Sequence, residues 1–158
     1  MKKFLIICLV IFVAGMACKK PLCGCSPEMG PELHLGIKNS ASDDLLNTNT
    51  NGSFQQNKIS IYKKDSNGAE TAVYFTVVPA SAFGTDFKYN TISAYAFGDL
   101  LKSGKGNIYL KLGDNAPYEL NIQLDSKGQI GKLLIDNIEA EKDDSAPTRH
   151  PTVFYLTK

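Results

Sequence analysis

Residues 107–139 read NIYLKLGDNAPYELNIQLDSKGQIGKLLIDNIE, and this stretch decides the fold class. Apolar and polar residues alternate along it with a period of two, which is the period of a half-buried β-strand. Polar breaks that contain Gly or Pro separate the alternating runs. We therefore predict three strands, over 107–112, 118–124 and 129–139, that form an antiparallel meander.

Apolar residues set the expected pairing of these strands. Across the turn 113–117 we expect three apolar pairs, namely Ile108 with Ile122, Leu110 with Leu120 and Leu112 with Tyr118. Across the second turn Leu124 faces Ile130, and the apolar residues that follow would then lose their register with the core. Gly131 is the natural position for a β-bulge that returns them to the core face.

Asp65-Ser66-Asn67-Gly68 forms a second turn signal between two further alternating runs. A two-residue turn at Asn67-Gly68 would divide the best apolar residues between the two faces of the hairpin. A three-residue loop, with Gly68 in the left-handed region, keeps them on one face. It pairs Ile61 with Val73 and Ile59 with Phe75.

Other alternating runs complete a set of about eight short strands: 32–38, 58–63, 70–78, 88–96, 107–112, 118–124, 129–139 and 152–156. The only helical candidates, 43–46 and 98–103, are single turns. A single open sheet would leave an apolar face in water. The sequence therefore predicts an all-β, two-sheet antiparallel β-sandwich, with a small β-barrel as the alternative.

Composition divides the chain of 158 residues into three parts. Residues 1–17 read as a signal peptide and 18–31 as a flexible tether rich in Pro and Gly. Residues 32–158 are long enough for one core, so we predict a single β-sandwich domain there.

The N-terminal segment consists of two lysines, an apolar run over 4–17 and then Cys18. Such a run is shorter than the roughly 20 apolar residues that cross a membrane as a helix, so a cleaved signal is favoured. The segment resembles the signals of bacterial lipoproteins. Ala17 and Cys18 match that pattern, whereas Gly15 and Met16 depart from it.

This resemblance implies that Cys18 becomes a lipid-modified N-terminus and that the exported protein is anchored to the bacterial envelope, with the outer membrane as the expected site. Several acyl chains hold a protein firmly, because each buried methylene contributes about 0.8 kcal/mol. The alternative is cleavage by an ordinary signal peptidase and release. A formal net charge of +1 gives no reason to expect a nucleic-acid partner.

Cys23 and Cys25 are the only other cysteines beyond the signal. Their spacing is too tight for an easy mutual disulfide, so a solvated tether or an intermolecular bond is the better interpretation. A zinc site normally takes four ligands, and no second pair lies nearby. We predict neither a metal site nor a cofactor.

No catalytic motif is evident. The two histidines are His34, in the first predicted strand, and His150, in a loop bounded by prolines, and we expect no acidic neighbour in the strand or tight turn of either. Two pairs of carboxylates, Asp43-Asp44 and Asp143-Asp144, are typical of solvated turns. We predict that the protein is not an enzyme, although a site assembled from distant residues stays an alternative.

Residues 43–52 form a loop rich in Asp, Asn and Thr that carries many oxygen ligands. The loop lacks the ligand order and the final Glu of an EF-hand. The same residue types are common in any polar loop, so we do not predict a calcium site.

Three tyrosines are the candidate ligand-binding residues. Tyr62 and Tyr74 fall on the face opposite the apolar residues of their hairpin, and Tyr109 does so on its own strand. Tyrosine rings can stack on flat apolar ligand faces, so together they could bind a glycan or a peptide. The alternative is that they only cover sheet edges.

A second resemblance lies in Asp44-Leu45-Leu46-Asn47, followed by a polar loop and the run Ile59-Ser60-Ile61-Tyr62. This arrangement is similar to the opening of small exported bacterial lipoproteins of uncharacterised function. We expect the two leucines to pin the loop to the core and Asp44 to cap the local turn. The predicted function is a lipid-anchored binding or assembly module that contacts a glycan or an envelope protein. The alternative is a structural subunit of an outer-membrane or surface complex.

Overall fold

The computed structural model describes residues 30–83, 87–95, 97, 101, 107–143 and 152–158. It is all-β, with two sheets of five and six strands that do not close into a barrel. The strands are β1 Leu33–Lys38, β2 Ile59–Lys64, β3 Glu70–Ala72, β4 Phe75–Val78, β5 Thr91–Ala94, β6 Asn107–Leu112, β7 Tyr118–Leu124, β8 Ile130–Ile135, β9 Ile138–Glu139, β10 Glu141–Asp143 and β11 Val153–Thr157. Short 3-10 turns cover Gln56–Lys58 and Ala80–Phe83.

Five strands form one sheet in the order β10-β11-β1-β5-β4, in which β1 and β11 run parallel and the other pairs antiparallel. The other sheet is antiparallel throughout, in the order β3-β2-β6-β7-β8-β9. One buried apolar cluster contains residues from both sheets, including Leu35 and Ile92 from the first and Ile61 and Leu110 from the second. The predicted β-sandwich is therefore confirmed, and its core is the layer between the sheets.

The predicted strand 70–78 is divided in two, and its halves belong to different sheets. The loop before it is as expected. Gly68 has φ +84°, and Val73 N–H donates to Ile61 O over 2.8 Å, which confirms the three-residue loop and the Ile61–Val73 pairing. The expected Ile59–Phe75 pairing is wrong, because the chain crosses to the other sheet after Val73 and Phe75 pairs with Ala94.

The meander 107–139 forms, but one of its registers differs from the prediction. Ile108 pairs with Leu120 and Leu110 with Tyr118, which is two residues from the expected alignment. Across the second turn Leu124 faces Ile130, and the register shift lies opposite Gly131, as predicted. The last predicted strand, 129–139, is two strands joined by a tight turn in which Asp136 and Asn137 have positive φ.

The long loop after β1 is attached to the core by two side chains, as predicted. Leu45 and Leu46 are buried, and Asp44 Oδ1 accepts the Leu46 N–H over 2.8 Å, which caps the turn. Asp44 itself is half-buried rather than solvated. Asp143 also departs from the predicted solvated turn, because it lies in β10 and accepts the Tyr155 hydroxyl hydrogen bond over 2.7 Å.

Several sequence predictions fall outside the described residues. They are the signal peptide 1–17, Cys18, Cys23, Cys25, Asp144, His150 and, apart from residue 101, the helical turn 98–103. Within the part of the chain that is described, no helix has the length and apolar character needed to cross a membrane.

Candidate functional site

Tyr62 and Tyr109 form a stacked pair on the outer face of the six-stranded sheet. They lie directly opposite each other on β2 and β6, with ring centroids 5.5 Å apart and ring planes at 23°. Both alternate with buried residues, such as Ile61 and Leu110, so the two-residue period of each strand directs them outward. Two of the three tyrosines chosen from the sequence are therefore neighbours.

The row across this sheet continues on both sides of the pair. Ala72 lies opposite Tyr62 on β3, and Glu119 lies opposite Tyr109 on β7. The backbone of Glu119 is fixed by Asp136, whose Oδ1 accepts the Glu119 N–H over 2.8 Å. The ring pair thus has a methyl group on one side and a carboxylate on the other. This is an apolar surface with hydrogen-bonding groups at its rim.

Tyr74 lies elsewhere. It stands where the chain crosses between the sheets, and its side chain is 76 % exposed. Its carbonyl accepts the N–H of Tyr95, the residue that follows β5, over 3.4 Å. An open groove of about 670 Å³ runs beside it, lined by Gln56, Asn57, Ile59 and Ala72–Phe75.

A polar cluster that sequence reasoning missed lies on the outer face of the five-stranded sheet. His34 and Ser93 are cross-strand neighbours, and His34 Nδ1 is 2.8 Å from Ser93 Oγ in a hydrogen bond. His34 Nε2 is 3.5 Å from Glu32 Oε1. The expectation that His34 has no acidic neighbour is therefore wrong. Glu32 and His34 are two positions apart on an extended chain, which puts both on the same face, and this spacing was visible in the sequence.

Burial decides the protonation state of this histidine. His34 is 5 % exposed, and desolvation lowers its pKa, while the charge of Glu32 acts in the opposite direction with the smaller effect. His34 is therefore neutral at pH 7. The cluster thus holds a neutral ring between a hydroxyl and a carboxylate.

Tyr95 extends the cluster towards solvent. It follows β5 directly, and extension of the pairing Leu33–Ala94 by one residue places it across from Glu32 on the same face of the sheet. Burial and the negative charge of Glu32 raise the pKa of Tyr95, so the phenol keeps its proton at neutral pH. Tyr95 is 42 % exposed. The outer end of the cluster therefore combines an accessible ring, a phenol and a carboxylate.

The Ser93, His34 and Glu32 side chains contact one another in the order of a serine-hydrolase relay, but the geometry supports a different use. A nucleophile must reach the carbonyl that it attacks, and Ser93 is 1 % exposed. Both ring nitrogens of His34 are engaged, by Ser93 and by Glu32. The buried part of the cluster is a set of satisfied polar groups beneath the sheet surface.

Side-chain oxygens of the Asp- and Asn-rich loop accept hydrogen bonds from within the protein. Asp44 accepts the N–H groups of Leu46 and Asn90 on its two oxygens, and Asn47 Oδ1 accepts the Asn49 N–H. Over the described ranges, no three His, Cys, Asp or Glu side chains come together as a metal centre would require.

Comparison with protein-family models gives no match, and no curated protein or solved structure is significantly similar to this chain.

The fold provides two separate tyrosine-containing surfaces. One is the stacked pair Tyr62–Tyr109 on the six-stranded sheet, and the other is the group of Glu32, Tyr95 and Tyr74 at the end of the five-stranded sheet.

Proposed function

We propose that the protein is a lipid-anchored binding module of the bacterial envelope, attached to the outer membrane through Cys18, and that the Tyr62–Tyr109 pair contacts an envelope glycan. The observation that supports this proposal is the stacked geometry of the two rings on an open sheet face. No step of the proposal requires catalysis.

The ring pair suits a sugar because sugar rings present flat faces of C–H groups edged by hydroxyls. An aromatic face packs against the C–H groups, and polar groups at the rim orient the hydroxyls. Both tyrosines sit on paired strands inside the sheet and constrain each other by stacking. Binding would therefore immobilise few additional side-chain torsions, which limits its entropic cost.

An anchor at Cys18 is compatible with this surface. An extended Pro-rich tether over 18–31 would reach on the order of 40 Å, far enough for the domain to stand clear of the lipid headgroups. Attachment before β1 would leave the outer face of the six-stranded sheet free to contact ligand.

The glycan proposal is tested by titrating the lipid-free domain with oligosaccharides. These are released from the peptidoglycan and lipopolysaccharide of the bacterium that produces the protein. We expect saturable binding that falls about two- to tenfold in Tyr62→Ala and in Tyr109→Ala, the range typical of aromatic contacts. Tyr74→Ala, at the crossing between the two sheets, is the matched control and should bind as the wild type does. If the folded double variant Tyr62→Ala/Tyr109→Ala binds unchanged, the pair is not the ligand surface.

The anchor is tested separately by intact-mass analysis of membrane-extracted protein. We expect a mature chain that begins at a lipid-modified Cys18, and a Cys18→Ala variant that is not lipidated and leaves the membrane fraction. Recovery of an unmodified chain cleaved elsewhere would contradict the anchor and indicate a freely secreted protein.

A structural subunit of an envelope complex is the second candidate, and one observation favours it. Among the described strands, β4 pairs only with β5, so its other edge is open beside the groove at Tyr74. An open edge can accept a strand from a partner. Crosslinking in intact cells from a photoreactive residue at Thr76 tests this. A partner crosslinked at Thr76 but not at Lys111 would support assembly through β4, and the absence of any crosslink would contradict it.

A further inference from the structure

The outer end of the polar cluster on the five-stranded sheet combines exposed tyrosines with a carboxylate. Tyr95 and Tyr74 are exposed and joined by the backbone hydrogen bond between them. Glu32 lies across from Tyr95, next to the pair Leu33–Ala94, and about a quarter of its side chain is accessible. Glu32, Tyr95 and Tyr74 are therefore neighbours in one row across the sheet, and all three are accessible to solvent.

We propose that Glu32, Tyr95 and Tyr74 form a binding site for a primary ammonium group of the kind carried by a lysine side chain. This site is independent of the Tyr62–Tyr109 surface.

Charge complementarity is the first argument. Among the described residues, the basic contact of Glu32 is His34, whose buried ring is neutral and does not compensate the negative charge of the carboxylate. A carboxylate has about four lone-pair positions, and the contact with His34 Nε2 over 3.5 Å uses only one of them. Glu32 can therefore accept hydrogen bonds from a bound cation.

The aromatic rings supply the second argument. The face of a tyrosine ring attracts a cation through its quadrupole, and a cation near both a ring and a carboxylate gains from the two interactions together. The same chain already shows such contacts, since Lys38 Nζ lies 5.0 Å from the Tyr155 ring centroid and Lys158 Nζ lies 4.6 Å from that of Phe54.

Hydrogen-bonding capacity selects the type of cation. A primary ammonium carries three N–H donors, whereas a quaternary ammonium carries none. The Glu32 carboxylate and the Tyr95 oxygen are both acceptors at this position. A primary ammonium would use both acceptors and the ring faces, so it is favoured over a quaternary amine.

The experiment is an NMR titration of the lipid-free domain, with the tyrosine and backbone resonances as the readout. The probe is Nα-acetyl-lysine methylamide, and its neutral match is Nα-acetyl-norleucine methylamide, which has a similar stem without the charge. We expect saturable shifts at Tyr74 and Tyr95 with the lysine probe at millimolar concentration, and none with the norleucine probe. Tetramethylammonium should bind more weakly.

Glu32→Gln keeps the shape of the side chain and removes its charge, and should weaken lysine binding about two- to fivefold. Glu139→Gln, which removes an exposed carboxylate on β9 of the other sheet, is the matched control and should bind as the wild type does. Dispersed amide spectra establish that each variant is folded.

Two results would overturn the site: equal binding of the norleucine probe, or unchanged lysine binding in folded Glu32→Gln. Equal binding of tetramethylammonium would overturn the assignment to a primary ammonium. Because no variant in this experiment alters Tyr62 or Tyr109, its failure and that of the glycan proposal are distinguishable.

Discussion

Asp44 Oδ2 accepts the backbone N–H of Asn90 over 2.8 Å, and this bond joins the loop after β1 to the segment before β5. The other carboxylate oxygen of Asp44 accepts the Leu46 N–H. Asn90 in turn accepts the Ala80 N–H on its Oδ1 over 3.0 Å. One side chain therefore holds two loops and, through Asn90, the turn that follows β4.

We expect Asp44→Ala to lower the free energy of unfolding by about 2 kcal/mol, because two backbone donors lose a charged acceptor in a half-buried position. Urea denaturation measures this loss, and amide hydrogen exchange should be faster at Leu46, Asn90 and Ala80. Asp43→Ala is the matched control. Its carboxylate bonds the exposed side chain of Asn39, so its loss should change stability by less than about 0.5 kcal/mol. Equal effects of the two substitutions would contradict this role of Asp44.

His34 gives the fold a pH dependence of predictable sign. Its pKa is lower in the folded protein than its ordinary value of 6.5, because burial disfavours the charged ring. As pH falls below 6.5, the unfolded chain binds a proton at this position that the folded protein binds less readily, so stability decreases until pH reaches the folded pKa. We therefore expect His34 to reduce the stability of the wild type as the pH falls from 7.5 through 6.5 and below.

His34→Gln retains hydrogen-bonding groups but does not titrate, and it provides the comparison. Carboxylates contribute to the pH dependence of both proteins, so the informative quantity is the difference between their unfolding free energies at each pH. The difference in unfolding free energy between the wild type and His34→Gln should become smaller as the pH falls, because the wild type loses the contribution of neutral His34. A pH-independent difference would show that His34 has the same pKa in the folded and unfolded states.

The sequence pattern was sufficient to predict strands and faces. Strict alternation placed Tyr62 and Tyr109 outward, and turn chemistry predicted both the three-residue loop that ends at Gly68 and the bulge at Gly131. The alternation of apolar and polar residues also explains why the predicted register between β6 and β7 was wrong. A shift of two residues leaves every side chain on the same face, so the apolar pattern does not distinguish Ile108–Leu120 from Ile108–Ile122.

Non-local features were not predictable in the same way. The crossing between sheets after Val73 and the parallel pairing of β1 with β11 depend on contacts between distant parts of the chain. Ser93 and Tyr95 reach His34 and Glu32 only because β1 pairs with β5. The spacing of Glu32 and His34 was sufficient to predict that these two side chains are neighbours. It gave no indication that Ser93 and Tyr95 lie next to them.

Gly36 and Tyr155 lie opposite each other on β1 and β11, and their contact leaves no room for a side chain at position 36. A Cβ at Gly36 would lie 2.7 Å from Cδ1 and Cε1 of the Tyr155 ring. The ring is held by the hydrogen bond from its hydroxyl to Asp143, by an edge contact with Tyr89 and by Lys38 above its face. It cannot move away without losing those contacts.

We expect Gly36→Ala to lower the free energy of unfolding by about 1–3 kcal/mol, the usual cost of overpacking a buried site. The cause is tested with Tyr155→Ala as the second background, because deleting the ring opens the space that the new methyl group needs. In that background Gly36→Ala should be neutral or stabilising, since alanine restricts the unfolded chain more than glycine does. Urea denaturation of the four proteins gives the coupling energy between the two positions. Additive effects would show that the glycine is required for a reason other than the approach of the tyrosine ring.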